Sequence, residues 1–108
     1  MAKYVFLVHS QPTEGGEDAY NDWYNNVHLG EVLTIPGFVA AQRFKVQDGS
    51  DGLQYLAIYE LETDDPQAAL AALGAGIQAG DVKMSDAIDG PSIVSTMFEP
   101  IGARMTAG

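Results

Sequence analysis

The chain has 108 residues, 46% of them hydrophobic and 19% charged, which fits one globular domain over 1–108 rather than two. Cysteine is absent, and with it disulfides, zinc-thiolate sites and cysteine nucleophiles. Five basic residues against fifteen acidic ones leave a net charge of -10, so a phosphate backbone would be repelled and no nucleic-acid partner is expected.

Lys3 to His9 is β-branched and aromatic and reads as a strand, apolar on both faces. Met1 to Val8 carries one lysine and an apolar run too short for a signal peptide, and no stretch reaches membrane-spanning length. A soluble, cytoplasmic protein with no membrane partner is the expectation. Pro12 and the glycines of Ser10 to Gly16 end the strand, and the acidic pair Glu17-Asp18 opens a helix. Tyr20, Trp23, Tyr24 and Val27 recur on one face of it. Asn25, Asn26 and Gly30 weaken the helix, leaving room for a short second turn over Glu31 to Leu33 before Pro36-Gly37.

Gly37 to Gln47 and Leu53 to Leu61 are strand-like, and the turn signal Asp48-Gly49-Ser50-Asp51-Gly52 joins them as a hairpin. Asp65-Pro66 is an N-cap and first-turn pair for a second helix that places Leu70, Leu73 and Ile77 on one face. Gly74 and Gly76 each cost that helix about 1 kcal/mol relative to alanine, unless close packing calls for them. Asp81 to Pro91 is irregular, Ser92 to Glu99 reads as the last strand, and the tail after Pro100 has little to anchor it. The order is βαββαβ, an α+β ferredoxin-like domain with a four-stranded antiparallel sheet. Both faces of the middle strands are apolar, yet two helices cover only one side of such a sheet. A second copy, sheet on sheet about a two-fold axis, is the simplest cover for the other.

The run Tyr20-Asn21-Asp22-Trp23-Tyr24-Asn25-Asn26-Val27-His28-Leu29-Gly30-Glu31-Val32-Leu33, followed by Ile35-Pro36-Gly37-Phe38, resembles the EthD-like branch of the dimeric α/β-barrel superfamily. With the strand order, the likeness spans nearly the whole chain. It implies a homodimer whose sheets form a barrel, with a pocket in each subunit between sheet and helices. The superfamily includes cofactor-free monooxygenases, polyketide cyclases, lyases, isomerases and proteins with no proven activity, so the resemblance leaves the reaction open. Its haem-binding members need an axial ligand for which this sequence offers no argument.

His28 leads the candidate catalytic residues because an imidazole beside an aromatic stripe exchanges protons near neutral pH, and because it falls in the family motif. On a continued helix Tyr24 lies one turn before it and Glu31 nearly one turn after, within reach of an orienting hydrogen bond. Tyr24 is the second catalytic candidate. Tyr20 and Trp23 offer flat apolar area for substrate binding, or simply core packing. Tyr55 and Tyr59 share a strand face, and parity does not choose between pocket and interface for either. His9 stands at a strand end beside a Pro/Gly loop, and Arg43 is a basic residue inside a strand; both are substrate-binding candidates, Arg43 as a carboxylate or oxyanion anchor or else as the partner of Glu60. No metal is expected, since His9 and His28 are far apart and no ligand spacing recurs. Glycine-rich phosphate loops and nucleophile elbows are missing as well, so no cofactor is expected. The sequence thus points to a cofactor-independent lyase, cyclase or isomerase acting on a small hydrophobic, aromatic or polyketide-like carbonyl compound. A cofactor-free monooxygenase of a phenolic substrate and a non-catalytic dimeric binding or stress-related protein are the alternatives.

Overall fold

In the computed structural model, which describes residues 2–48 and 54–108, the chain runs through β1 (Lys3–Ser10) and α1 (Glu17–Trp23). It continues through one π-helical turn (Tyr24–His28) into α2 (Leu29–Val32). Next come β2 (Phe38–Lys45), β3 (Tyr55–Glu62), α3 (Pro66–Ala79), a 3-10 turn (Gly90–Ser92) and β4 (Val94–Phe98). The strands form one sheet in the order β2-β3-β1-β4, every neighbouring pair antiparallel. This is the ferredoxin-like topology that the βαββαβ order implies. Of the turn read over Asp48 to Gly52, all but Asp48 lies outside the described residues, as does Leu53.

The barrel expectation is corrected. The sheet is open, neither closed nor curled, with β2 and β4 as two edges separated by β3 and β1. Closing a sheet requires its edges to meet through tilt and stagger, and these four strands, packed beneath helices on one side, leave both edges apart.

Cross-strand partners point to the same side, so the register assigns the two faces. Phe6 pairs with Tyr59 and Met97, Ser10 with Tyr55, and Arg43 with Ala57; all lie on the face beneath the helices. On that face Phe6, Tyr55, Ala57, Tyr59 and Leu61 are buried. Leu7, Ile58, Leu56, Phe44, Val94 and Phe98 occupy the opposite face, where Phe44, Val94 and Phe98 are 43%, 51% and 47% exposed. The expectation of a first strand buried on both faces is met only at Phe6 and Ser10 on the covered side; Tyr4 and Val8 beside them, and Val5, Leu7 and His9 on the other face, are half-buried.

Asp65 caps α3 by accepting a hydrogen bond from the Ala68 N–H at 3.0 Å, with Pro66 in the first turn, and Gly80 closes it at φ 83°. Gly76 is the glycine with a packing reason: a Cβ there would meet Val82 Cγ2 at 3.2 Å and Ile35 Cδ1 at 3.4 Å, whereas Gly74 faces open space. That contact seats the segment 81–89, whose buried Val82 carries Lys83 to the end of the helical layer.

Candidate active site

Asn25 and Asn26 do not end the first helix. Instead the chain widens: the Leu29 N–H reaches the Tyr24 carbonyl, one residue further back than an α-helical bond. Single π turns of this kind recur at functional sites because they re-aim neighbouring side chains. Here the turn sets Tyr24 and His28 against each other, ring centroids 5.2 Å apart at 84°, with the Trp23 ring 4.5 Å from His28. Asn25 becomes an acceptor for Arg43 Nη1 at 2.9 Å, and Asn26 donates to Asp22 at 2.8 Å. The polar residues that weaken an ordinary helix are used on its solvent side.

His28 and Tyr24 line a hollow of about 180 Å³ between the sheet and the helices. Tyr59 from β3, Phe6 from β1, and Leu73 and Ile77 from α3 complete much of its wall. A larger hollow of about 430 Å³ is an open trough at one end of the sheet beneath the C-terminal tail, lined in part by Lys3, Glu60, Glu62 and Arg104. It contains neither histidine. The smaller one is the better candidate because the buried acid-base groups converge there.

His28 is 8% exposed and its Nδ1 is buried with no hydrogen-bond partner. The Lys83 carbonyl accepts the indole N–H of Trp23, whose ring lies against His28, at 3.0 Å, and the Lys83 backbone favours the protonated imidazole. Burial pulls the His28 pKa below its ordinary 6.5, more than the Lys83 carbonyl and the Glu31 charge restore. The imidazole is therefore neutral at pH 7. Burial also pushes the Tyr24 phenol up to about 12, against the opposing pull of a hydrogen bond from Tyr59 and of the Arg43 charge. Tyr59 is raised further still, again by burial first. Both phenols stay protonated near neutrality; Tyr59 donates to Tyr24, so Tyr24 is the phenol with a proton to offer beside the neutral imidazole.

Behind Tyr24 lies a second layer. The Arg43 guanidinium sits 4.3 Å from the Tyr24 ring centre, 5.1 Å from that of Tyr20 and 5.3 Å from that of Tyr55. Its Nη2 donates to Asn21 Oδ1 at 2.9 Å, and its Nε is buried without a partner. Glu60, the acidic partner considered from sequence, pairs with Ala40 and Val5 on the other face of the sheet. Tyr55 donates instead to Glu17, and Tyr20, fully buried, shares a 2.6 Å hydrogen bond with Ser10.

Of the residues singled out from sequence, the fold brings His28 and Tyr24 to the hollow and places Tyr20, Trp23, Tyr55 and Arg43 in the layer that supports them. His9 pairs with Leu56 and Val94 on the opposite face. Sequence reasoning left Tyr59 undecided between pocket and interface, and it missed the Lys83 carbonyl that accepts the Trp23 N–H. The first was open to a distance argument: Tyr55 and Tyr59 are four strand residues, about 13 Å, apart, so only one can meet His28. No signal marks the second, because a backbone carbonyl acts here whatever its side chain. Glu31, expected near the imidazole, accepts the Lys83 N–H at 2.7 Å and meets Lys83 Nζ at 3.4 Å.

Among the described residues no three His, Asp or Glu side chains converge as metal ligands, and no helix is long and apolar enough to cross a membrane. No protein-family model matches the chain, and no curated protein matches it in sequence. Solved structures do match in fold. An EthD family protein from Bacillus halodurans aligns over 94% of this chain and 100% of its own, at 14% identity and a TM-score of 0.61. A proposed monooxygenase from Shewanella loihica aligns over 94% and 97%, at 14% identity and a TM-score of 0.65. The haem degrader MhuD of Mycobacterium tuberculosis, solved with two haems in its active site, aligns over 94% and 99%, at 20% identity and a TM-score of 0.63. The chain thus has the ferredoxin-like fold of the EthD-like proteins that its first helix resembles.

Proposed function

We propose that this chain is a cofactor-independent enzyme of the lyase, cyclase or isomerase type, acting by proton transfer on a small, uncharged, hydrophobic carbonyl or phenolic compound. The carrying observation is the buried, neutral imidazole of His28 among the residues that wall a largely apolar hollow, together with the Tyr24 and Tyr59 phenols. A neutral imidazole removes a proton, and the Tyr24 phenol, which remains protonated, holds the oxygen on which enolate charge develops. Among the described residues no cationic side chain lines the hollow, which favours neutral over carboxylate substrates. The fold is shared with proteins described as a haem degrader and a proposed monooxygenase, in keeping with a small-molecule enzyme of this architecture.

The test requires no natural substrate. Incubated with one-ring and two-ring aromatic ketones in D2O, the wild-type protein is expected to exchange their α-protons, followed by NMR, and His28→Gln to do so about 10²-fold more slowly. Equal rates in a folded variant overturn the proposal. The pH profile supplies a second reading. Because burial lowers the pKa of His28, the base stays neutral down through pH 6.5, and the exchange rate should fall only below that. An acidic limb centred above 6.5 would contradict the assigned base.

The proposal extends to assembly: one domain, in the cytoplasm, pairing with a second copy through the outer sheet face. Support comes from the half-exposed Phe44, Val94 and Phe98 on that face, where Leu7 and Ile58 lie between them. An exposed apolar patch of this sort gains from pairing with its own copy across a two-fold axis.

A further inference from the structure

Arg43 reaches from β2 to the first helix and is held there by two neutral amides. Its Nη2 donates to Asn21 Oδ1 and its Nη1 to Asn25 Oδ1, each at 2.9 Å, from residues four apart and so on one face of the helix. Both hydrogen bonds run to uncharged groups, so neither cancels the charge. Glu17, one turn before Asn21, accepts the Tyr55 hydroxyl instead. Three ring faces surround the guanidinium within cation–π range, Tyr24 nearest at 4.3 Å from its ring centre, then Tyr20 at 5.1 Å and Tyr55 at 5.3 Å. Tyr24 and Asn25 begin the π turn, so one turn carries both the ring that lines the hollow and half of the clamp behind it.

We propose that Arg43 is a positioning residue that acts through Tyr24: the asparagine clamp holds its guanidinium over the phenol ring, where the positive charge strengthens the hydrogen bond that Tyr24 gives to the substrate oxygen. This rests on the reading of Tyr24 as the donor to that oxygen. A cation over an aromatic face is attracted by the electron density of the ring, and the attraction grows as the ring gains negative charge. A phenol that begins to yield its proton to an enolate gains such charge, so the guanidinium favours the transition state over the ground state. Burial raises the Tyr24 phenol, and the Arg43 charge opposes that rise. The other groups facing the Tyr24 ring are Tyr20, Trp23 and His28 from its own helix and Tyr59 from β3, all uncharged at pH 7. From β1 and α3 the hollow receives the apolar Phe6, Val8, Leu73 and Ile77, and Lys45 reaches the Tyr55 ring at 5.8 Å. Arg43 thus supplies the charge on this side.

The experiment reads the Tyr24 phenol itself. With 3-fluorotyrosine in place of the five tyrosines, fluorine NMR follows the ionisation of each ring at milder pH, and the Tyr24 signal is the one that Tyr24→Phe removes. Asn25→Asp keeps the accepting oxygen but sets a carboxylate on the guanidinium. It should raise the Tyr24 midpoint by about 0.5–1 pH unit and slow the ketone exchange about threefold through kcat, with KM little changed. A clamp that served packing alone would be tightened by that carboxylate and would leave the rate as it was. Asn26→Asp adds the same charge one residue on, where the side chain meets Asp22 rather than Arg43, and should move the midpoint by less than about 0.2 unit. Arg43→Gln removes the charge outright and should raise the midpoint by about one unit. Should that variant fail to fold, Asn25→Asp, at the exposed end of the clamp, decides the matter. A midpoint unmoved in folded Asn25→Asp protein overturns the proposal, and so does an equal shift in Asn26→Asp. Midpoints that shift as expected while Tyr24→Phe exchanges ketones at the wild-type rate remove Tyr24 as the donor and leave its coupling to Arg43 standing.

Discussion

Each face of the sheet mixes polar and apolar groups, and the two mixtures differ. The covered face holds the hydroxyls of Ser10, Tyr55 and Tyr59 and the guanidinium of Arg43, with Tyr20, Tyr24 and His28 pressed onto it from the helices. The outer face presents Leu7, Ile58, Phe44, Val94 and Phe98 to solvent, with His9, Gln42 and Thr96 among them and Lys3, Glu60 and Glu62 toward one end. Burying polar groups is unfavourable unless they are paired, so a fold that fills its covered side with hydroxyls gains less from burial than an aliphatic layer would. Such an arrangement is what a proton-transfer site requires, and the apolar outer face is what self-association requires.

The sharpest way to break the comparison is to remove area from the covered side. Tyr59→Ala should cost about 3–5 kcal/mol in urea unfolding, because a ring that meets Phe6 and Phe38 at 6.1 and 5.9 Å leaves a void the sheet cannot close. A loss below about 1 kcal/mol would mean that the covered face is loosely packed. Next in size is the alkaline limb. The Tyr24 phenol titrates at about 12 in the folded chain against 10.0 for an ordinary tyrosine, so its contribution is complete below pH 10 and lost as pH rises through 12. That amounts to about 3 kcal/mol for Tyr24, absent in Tyr24→Phe, when urea midpoints are compared from pH 9 upward. Tyr59→Phe should raise the Tyr24 pKa further, since the lost hydroxyl is a donor that favours the phenolate.

How much of this was legible follows from what each signal encodes. Tyr20, Trp23 and Tyr24 announce their helix face through spacing, Asp65-Pro66 announces its cap, and strand order follows from apolar runs and turn residues. These are local properties. The π turn is not: Asn25 and Asn26 read as helix-weakening until Arg43, 18 residues on, is seen to use Asn25 as an acceptor. The barrel expectation failed for a related reason. It came from the resemblance, and closure belongs to how sheet edges meet, whereas the apolar pattern of one chain records only which faces avoid water. The site divides in the same way, with His28 and Tyr24 visible in a motif and the Lys83 carbonyl invisible to any reading of side chains.

A smaller effect sharpens the role of pairing on the covered side. Ser10→Ala leaves the Tyr20 hydroxyl buried beside Arg43 without its 2.6 Å partner and should cost about 2 kcal/mol. The double variant Ser10→Ala with Tyr20→Phe removes both ends and should recover much of that loss, a coupling that a double-mutant cycle in urea measures directly. Additive losses would show that the hydroxyl pair contributes through packing alone.

The smallest effect per chain is expected on the outer face, and it is the most informative about what covers it. Phe44 pairs with Leu56 and is 43% exposed, so a single chain already forgoes much of what its burial could supply. Fully burying a phenylalanine is worth about 1.5–3 kcal/mol, and Phe44→Thr keeps a good strand former, so the folded chain should lose only about 1 kcal/mol. If a second copy lies on this face, the same substitution acts twice across a two-fold interface and weakens association more than folding. Wild-type Tm should then rise with protein concentration, because a partner that binds only the folded chain stabilises it by mass action. Phe44→Thr should flatten that dependence, with sedimentation shifting toward the monomer at the same concentrations. A wild-type Tm indifferent to concentration, together with monomeric sedimentation, would leave the apolar face bare and remove the second copy from the account, while the hollow beneath the helices would keep its base, its donors and its chemistry.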